Sequence, residues 1–274
     1  MGIAPRHSSR KAATAARMYD YYLGGIHNFP ADREAADKVI AEFPFVPLLA
    51  RGNRAFLHRA VRHLVDAGVR QFVDLGSGIP TAGNVHEIAQ EKTPDARVVY
   101  VDIDPVAVAE SLDLLKGNDW ATAVRADIRH PRDVLDHPRT RRLLDLDQPI
   151  GLVMAAVLHF VPDDAEAYGL VAQFVEALAP GSYLVVSHIA TESFLPGTEQ
   201  GQAAIEVYER QTATPIRPRD RAEVRRFFAG LELLNPDLIW PHEWRLDELD
   251  ENAGTEFAEL RLQGAGWVGI GRRR

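Results

Sequence analysis

The stretch Phe72-Val73-Asp74-Leu75-Gly76-Ser77-Gly78-Ile79-Pro80 decides the fold of this chain. It begins as a short apolar run, passes through a turn with two glycines, and is followed by a helical pattern. Glycine carries no Cβ atom, so its backbone lets a ligand approach closely. A strand, a glycine turn and a helix in this order are typical of the ligand-binding edge of an open α/β sheet.

The rest of the chain alternates short apolar runs with helical stretches, which favours an α/β fold with strands buried on both faces. Two further runs near the C-terminus bring the predicted sheet to seven mixed strands with helices on both faces. The stretch Arg245–Leu262 between these two runs has no clear pattern. The predicted strands are Gln71–Leu75, Arg97–Val101, Ala121–Arg125, Ile150–Ala156, Ser182–Ser187, Leu231–Ile239 and Gly266–Ile270.

The N-terminal part of the chain has a different pattern. It is helical over Ala12–Leu64, with interruptions at Gly24-Gly25 and at two prolines. Glycine pairs and prolines end helices, so several short helices are expected here. We therefore predict an N-terminal helical cap or lid over residues 1–66 and a ligand-binding sheet domain over residues 67–274.

Composition narrows the class of protein. The chain has 274 residues, 46% of them hydrophobic, and a formal net charge of −8. This suits a globular protein and disfavours nucleic acid as a partner, because phosphate backbones attract basic surfaces. There is no cysteine, which excludes disulfides, cysteine nucleophiles and cysteine-bound zinc. Neither an apolar membrane span nor the apolar segment of a secretory signal is recognisable. We expect a cytoplasmic protein with no membrane partner; its oligomeric state stays open.

The residues of the glycine turn indicate the charge of the ligand. The dinucleotide motif G-x-G-x-x-G requires a third glycine where this chain has Thr81, so the motif is absent. Asp74 stands close before Gly76 and would repel a pyrophosphate. The same carboxylate would attract a sulfonium or an ammonium group. The turn therefore favours a cationic ligand over a dinucleotide.

Acidic residues also follow the next two predicted strands. Asp102 ends the second strand, where a carboxylate can accept hydrogen bonds from both hydroxyls of a ribose. Asp127 follows the third strand and can accept the exocyclic amine of an adenine, with Ile103 and Ile128 as apolar walls for the ring. Each acid alone is also compatible with a solvated loop or a helix cap, which is the role expected of Asp104. Acids at three successive strand ends favour a nucleoside site.

Residues 71–188 resemble a class I S-adenosylmethionine (SAM)-dependent methyltransferase with a Rossmann-like fold, and Asp74–Gly78 is similar to the glycine motif of that family. The resemblance implies SAM as the cofactor, with Asp102 on the ribose and Asp127 on the adenine. Many members have a third glycine where Pro80 stands, so a more rigid loop is expected here. The predicted SAM contacts in this region are Asp74, Gly76, Ser77, Gly78, Asp102, Ile103, Asp127, Ile128 and Ala155.

Three more segments carry a closer resemblance. Ala16–Arg33 strongly resembles the opening signature of an actinobacterial methyltransferase family that was once catalogued as a domain of unknown function, and Asn53–Leu57 and Trp240–Arg245 fit it too. Met154–Pro162, which contains Ala155, is similar to the segment beneath the methionine part of SAM in class I enzymes. The resemblance covers nearly the whole chain and implies a SAM-binding methyltransferase, but no particular substrate.

The signature segment has the composition of a lid. It brings three tyrosines, two adjacent glycines and several polar residues into the short stretch Tyr19–Arg33. We predict that it folds over the sheet edge, with Tyr19 and Tyr22 walling the SAM or substrate pocket and Gly25 close to the cofactor. Aromatic faces attract a sulfonium-type cation. The alternative is an N-terminal helix whose tyrosines fill gaps in the packing.

The chemistry expected of such a site needs few catalytic groups. Methyl transfer is an in-line displacement, so the protein mainly aligns donor and acceptor and excludes water. A general base is required only if the acceptor must lose a proton early. His159 and His188 follow the fourth and fifth predicted strands and are the candidates, although a lone histidine is also compatible with a structural role. No metal-ligand spacing is evident, so no metal site is predicted.

Together these features predict a SAM-dependent methyltransferase with a small-molecule oxygen or nitrogen acceptor. A non-catalytic SAM-binding regulatory protein of the same fold is the first alternative, and an NAD-dependent oxidoreductase is the second. A DNA amino-methyltransferase is disfavoured, because Ala155–Leu158 stands where an Asn/Asp-Pro-Pro-aromatic run is usual. The motifs of P-loop nucleotidases and of α/β-hydrolases are absent.

Overall fold

A computed structural model describes residues 13–79, 83–193, 199–212, 214–245 and 266–274. Its strands are β1 (Gln71–Leu75), β2 (Arg97–Asp102), β3 (Ala121–Arg125), β4 (Gly151–Ala155), β5 (Tyr183–His188), β6 (Glu232–Leu233) and β7 (Trp267–Arg272). They form one seven-stranded sheet in the order β3-β2-β1-β4-β5-β7-β6. The first five strands are parallel, whereas β7 runs antiparallel to both β5 and β6. The predicted mixed sheet is confirmed.

Ten helices accompany the strands in the described ranges. They are α1 (Ala15–Tyr22), α2 (Pro30–Glu42), α3 (Val46–Asp66), α4 (Val85–Lys92), α5 (Pro105–Leu114), α6 (Pro131–Leu135), α7 (Pro138–Leu143), α8 (Asp164–Glu176), α9 (Glu199–Thr212) and α10 (Arg221–Arg225). Many begin at or next to a proline, whose fixed φ suits the first turn. The side chains of Asp104, Asp163 and Asp220 accept backbone N–H groups at the starts of α5, α8 and α10. In the parts of the chain that the structure covers, no helix is long and apolar enough to span a membrane.

Helices cover both faces of the sheet, as the sequence predicts. Successive residues of a strand point to opposite faces. Phe72 of β1 therefore packs with Leu64 of α3 and Ile88 of α4, while Val73 packs on the other face with Phe174 of α8. All five side chains are buried, and each such burial stabilises the fold by about 1.5–3 kcal/mol.

The cap is built from the N-terminal helices and from α9, which is distant from them along the chain. Met18 of α1, Ala36 of α2, Ala50 of α3 and Tyr208 of α9 belong to one buried cluster, separate from the two clusters on the sheet. From Phe56 onward α3 packs against the sheet instead. Helix α3 thus packs with the cap at its start and with the sheet from Phe56 onward. Helix α9 adds to the cap that the sequence predicts over residues 1–66.

A buried ionic network joins the cap to the end of β2. Arg17 donates through Nε to Asp32 and through Nη1 to Asp104, each at 2.9 Å. Thr14 donates its hydroxyl to the same oxygen of Asp104 at 2.9 Å. The side chains of Arg17 and Asp32 are 3% and 0% exposed. The network therefore fixes α1 and α2 against the edge of the sheet.

The helix after the glycine turn begins later than predicted. The helical pattern that follows the glycine turn in the sequence covers Thr81–Gln90, but α4 begins at Val85. Glu87 reaches back and accepts the N–H of Asn84 at 2.8 Å, which is the reciprocal half of a capping box. Gly83 and Asn84, which the prediction includes in the helix, therefore precede it. Pro80 and Thr81 themselves, and most of the unassigned stretch 245–262, lie outside the described residues.

Replacing Arg17 by leucine is expected to lower the free energy of unfolding by about 3–5 kcal/mol, because two buried carboxylates lose their cation. Urea denaturation followed by circular dichroism measures the change. Lys92→Met is the matched control, since Lys92 pairs with Asp66 where both side chains are about half exposed, and such pairs contribute at most about 1 kcal/mol. Equal losses in the two variants would contradict a structural role for the Arg17 network.

Candidate active site at the carboxyl ends of the strands

The carboxyl ends of β1 to β5 meet at one edge of the sheet, where open α/β folds bind ligands. A cavity of about 790 Å³ lies along this edge, within the roughly 300–1,000 Å³ of small-molecule pockets. It is lined by residues at the strand ends and by residues of α1, α2, α3 and α9. The cap and the sheet therefore enclose a common cavity.

The glycine turn after β1 is held between the end of β2 and the segment that follows β4. A Cβ atom at Gly76 would lie 2.2 Å from Cγ2 of Val157, and the residue has a φ of +67°. Both features require glycine at this close approach. The N–H groups of Gly76 and Ser77 donate to the carbonyl oxygen of Val101. Gly76, Ser77 and Gly78 all line the cavity, as the sequence predicts for the cofactor loop.

Asp102 lies at the end of β2 with 8% of its surface exposed. Its Oδ2 accepts the N–H of Gly78, and its Oδ1 accepts that of Asp104, each at 2.8 Å. Burial raises the pKa of Asp102, against the lowering effect of these backbone hydrogen bonds. The adjacent Ile103 is 57% exposed and lines the cavity. The predicted ribose-binding acid and the predicted apolar wall thus lie side by side.

Asp74 and nearby residues of α1 and α3 form a second acidic corner of the cavity. Burial raises its pKa to about 7; the Arg54 guanidinium opposes this shift, and the charge of Asp102 adds to it. The Arg54 guanidinium carbon lies 5.9 Å from the ring centroid of Tyr19. The hydroxyl of Tyr19 accepts a hydrogen bond from Asn53 at 2.9 Å. This corner of the cavity therefore combines an acid that ionises near neutral pH with a cation from α3.

Asp127, the third predicted acid, is already paired. Arg129 donates through Nε at 3.0 Å to both carboxylate oxygens and through Nη2 at 2.5 Å to one of them. This guanidinium lowers the pKa of Asp127. Ile128 between them is buried and lines the cavity together with both charged residues. Sequence reasoning missed Arg129, although its position two residues after the acid is a usable signal for such a pair.

The two candidate histidines lie together at the ends of β4 and β5. His159 and His188 are buried and line the cavity, with ring centroids 5.6 Å apart. Arg219 donates to Nε2 of His188 at 3.0 Å. The proton of that ring is therefore assigned to Nδ1, which donates to the carbonyl oxygen of Ile189 at 2.8 Å. Burial lowers the pKa of His188 to about 3, so this ring is neutral.

His159 is in a different position from its neighbour. Burial lowers its pKa well below the usual value, and the charges of His188 and Arg219 add to that effect. Its Nδ1 has no hydrogen-bond partner within the described part of the chain. Arg219, which is fully buried, also donates to the carbonyl oxygens of Leu158 and Val161. Nothing local in the sequence marks Arg219, and it was not among the predicted site residues.

Of the remaining predicted site residues, three line the cavity and one lies outside its lining. Tyr19, Tyr22 and Ala155 line the cavity. Gly25 is not in the lining. A Cβ atom at Gly25 would lie 2.0 Å from Oδ1 of the buried Asp20. Glycine is therefore needed there for close packing within the cap, and its predicted contact with the cofactor has no support from this placement.

The cavity continues under the cap into a part that we call the apolar chamber. The rings of Phe160 and Tyr208 stack there, with centroids 6.1 Å apart and planes 19° from parallel. The sequence predicts Tyr22 in this place but not the residues of α9, because that helix is distant along the chain. The chamber is lined by Tyr22, Val39, Phe160, Ile205, Tyr208 and Ile216.

The raised pKa of Asp74 predicts a pH-dependent stability. In the folded chain this acid keeps its proton up to about pH 7, but in the unfolded chain it ionises near 3.8. The folded state binds more protons between these values, so stability falls as the pH rises. Relative to Asp74→Asn, the natural protein is expected to lose about 2–3 kcal/mol of unfolding free energy between about pH 5 and pH 7. Urea denaturation across this range measures it.

Asp66→Asn is the matched control, because Asp66 is an exposed partner of Lys92 on the surface. Its stability should follow the pH dependence of the natural protein. If the Asp74→Asn profile also runs parallel to that of the natural protein, Asp74 ionises normally in the folded chain and the raised pKa is refuted.

Comparison with known proteins identifies the family. The model of the family described as S-adenosyl methyltransferase matches residues 3–273. A solved structure of a DUF574 family protein from Streptomyces avermitilis is 39% identical and superposes with a TM-score of 0.87, over 96% of this chain and 98% of that one. A candidate methyltransferase from Thermobifida fusca is 36% identical, with a TM-score of 0.85 over 97% of each chain. No curated protein matches the sequence.

The match to the family model spans nearly the whole chain and agrees with the fold and with the acidic strand ends. It favours methyl transfer over both alternatives that the sequence left open, a non-catalytic SAM-binding protein and an NAD-dependent oxidoreductase. The predicted family, fold and cofactor are confirmed. This chain belongs to the S-adenosyl methyltransferase family and is a SAM-dependent methyltransferase with a Rossmann-like class I fold.

Proposed function

We propose that the enzyme methylates an oxygen or nitrogen atom of a small molecule that binds in the apolar chamber. The observation that carries this proposal is the continuity of the cavity, which runs from the acidic strand ends to the chamber under the cap. A donor at the strand ends and an acceptor in the chamber then share one enclosed space, as in-line transfer requires. The volume of about 790 Å³ suits small molecules.

The strand ends fit the nucleoside part of SAM. Asp102 has a buried carboxylate whose remaining lone pairs can accept the ribose hydroxyls. Ile103 offers an apolar surface that is 57% exposed in the structure, which suits one face of the adenine. Ile128 forms a second apolar contact, and Asp127, held by Arg129, is placed to accept the exocyclic amine.

The corner formed by Asp74 and Arg54 fits the methionine part of SAM. That part carries an ammonium and a carboxylate, and the corner offers one group of each opposite charge. In the same corner, the side-chain oxygen of Asn53 has no hydrogen-bond partner in the described structure. A cation bound there would favour the ionised form of Asp74 and recover part of the desolvation energy. We assign Tyr19, Gly76, Ser77, Gly78 and Ala155 to the walls of this end.

SAM held at the strand ends would supply an electrophilic methyl group to the acceptor, and its sulfur would keep the electron pair of the carbon–sulfur bond. An acceptor O–H or N–H must then release its proton. We propose His159 as the base, because its ring is neutral and lines the cavity. The lone pair of His188 accepts a hydrogen bond from Arg219. We therefore assign His188 the role of positioning His159.

Asp102→Asn is expected to weaken binding of S-adenosylhomocysteine at least about tenfold. The amide keeps the size of the side chain but removes a charged acceptor, and hydrogen bonds to charged groups contribute about 1.5–3 kcal/mol. Isothermal titration calorimetry measures the dissociation constant. Asp133→Asn, on the exposed side of α6, is the control. An unchanged constant in a folded Asp102→Asn protein would remove Asp102 from the cofactor site.

Incubation with methyl-labelled SAM tests the class of acceptor. The enzyme is mixed with the small-molecule fraction of a Streptomyces avermitilis extract and, separately, with its macromolecular fraction. Label is expected in an extractable small product. Transfer into acid-precipitable protein or nucleic acid alone would contradict the proposal.

The same assay tests the base. His159→Gln is expected to slow labelling by about 10²–10⁴-fold, the usual contribution of a general base, without changing the affinity for S-adenosylhomocysteine. His130→Gln is the control, since His130 is exposed. A rate within a factor of a few of the natural enzyme would assign His159 a structural role.

A further inference from the structure

The charges around the cavity are unevenly distributed. Among the cavity-lining residues that the structure describes, the charged ones come from the strand ends and from Arg54, Asp104 and Glu166. Helix α2, helix α9 and residues 214–216 contribute only uncharged side chains to the lining. A charged molecule in the apolar chamber would lose its hydration without gaining a partner. The chamber therefore selects uncharged molecules.

The chamber also has an aromatic wall. Phe160 and Tyr208 present nearly parallel rings, and the ring of His159 lies 4.2 Å from that of Phe160, between centroids. Flat rings pack on such a surface with more favourable contacts than flexible chains, because aromatic pairs prefer offset-stacked and edge-to-face arrangements. The wall leads from the proposed base, His159, to the far side of the chamber at Tyr208.

Tyr22 supplies a polar group without a partner at that far side. It is 7% exposed and lines the cavity, and its hydroxyl has no hydrogen-bond partner in the described ranges. Burial raises its pKa, so the group remains a neutral phenol that can donate. A buried hydroxyl without a partner is unfavourable, and a ligand that supplies an acceptor atom removes this penalty. Tyr22 is close enough to Tyr208 for its charge to affect the pKa of Tyr208.

We propose that the methyl acceptor is an uncharged, flat, mainly aromatic small molecule whose oxygen or nitrogen hydrogen-bonds to the hydroxyl of Tyr22. The proposal rests on the proposed function, in which the apolar chamber holds the acceptor. Tyr22 then determines specificity: it selects rings that carry a hydrogen-bonding atom over bare hydrocarbons, while the uncharged lining rejects carboxylates of the same shape.

Three probes of matched size separate these features. Naphthol is neutral, flat and hydroxylated; naphthoate is flat but charged; decahydronaphthol keeps the hydroxyl but is saturated and puckered. Binding of each is measured by calorimetry in the presence of saturating S-adenosylhomocysteine. Naphthol is expected to bind at least tenfold more tightly than either of the other two.

Tyr22→Phe tests the hydrogen bond directly. It should weaken naphthol binding about tenfold, which corresponds to about 1.4 kcal/mol. Its melting temperature without ligand should be unchanged or higher, because the substitution removes an unpaired buried hydroxyl. Tyr21→Phe is the matched control on the same helix, since the Tyr21 hydroxyl donates to Asp37 at the exposed surface. This control should bind naphthol like the natural protein.

The outcomes distinguish the two proposals. If S-adenosylhomocysteine binds but naphthoate or decahydronaphthol binds as tightly as naphthol, the inference about the acceptor is overturned. The same holds if no probe binds, or if Tyr22→Phe binds naphthol like the natural protein. In each of these cases the proposed cofactor site stands. Failure of S-adenosylhomocysteine to bind would instead overturn the proposed function itself.

Discussion

The cavity depends on the buried contact between Arg17 and Asp104. One oxygen of Asp104 accepts the N–H of Val106 and so begins α5, while the other accepts both Arg17 and Thr14. The end of β2, the start of α5 and the first cap helix are therefore fixed as one unit. Buried ions are expensive to desolvate and still more expensive to leave unpaired. The cap cannot leave the sheet edge without exposing or stranding these charges, so it acts as a wall of the site.

The sheet edge carries more buried negative charge than its surroundings neutralise. Burial raises the pKa of both Asp74 and Asp102. The charge of Asp102 adds to the rise at Asp74, and the charge of Asp104 adds to the rise at Asp102. Arg54 offsets only part of this, and Arg129 is committed to Asp127. Without a bound ligand, the folded state would be more stable with an apolar or neutral residue in place of Asp74. Conflict between local stability and sequence is typical of functional sites, and the cation that we propose beside Asp74 would relieve it.

The features that the sequence predicts well are those set by neighbours along the chain. Apolar runs located six of the seven strands within one or two residues of their bounds, and Asp104 caps α5 as expected. The failures involve contacts between distant segments. Arg219 reaches His188 across 31 residues, and α9 joins α2 in the cap; no periodicity or spacing encodes either contact. The late start of α4 is a separate case that involves only neighbouring residues: a helical pattern alone does not reveal which residue caps the helix.

Helix α1 contributes to both parts of the cavity, the acidic corner at Asp74 and the apolar chamber. Tyr19 and Tyr22 are three residues apart and so lie on one face of the helix, the former beside Asp74 and Arg54, the latter in the apolar chamber. Arg17 anchors this helix to the sheet. In the proposed function the strand ends hold the cofactor, whereas Val39, Ile205 and Ile216 line the chamber. Substitutions on α2 and α9 can therefore reshape the acceptor space while the donor site stays intact, which makes these two helices the natural place for relatives to differ in substrate.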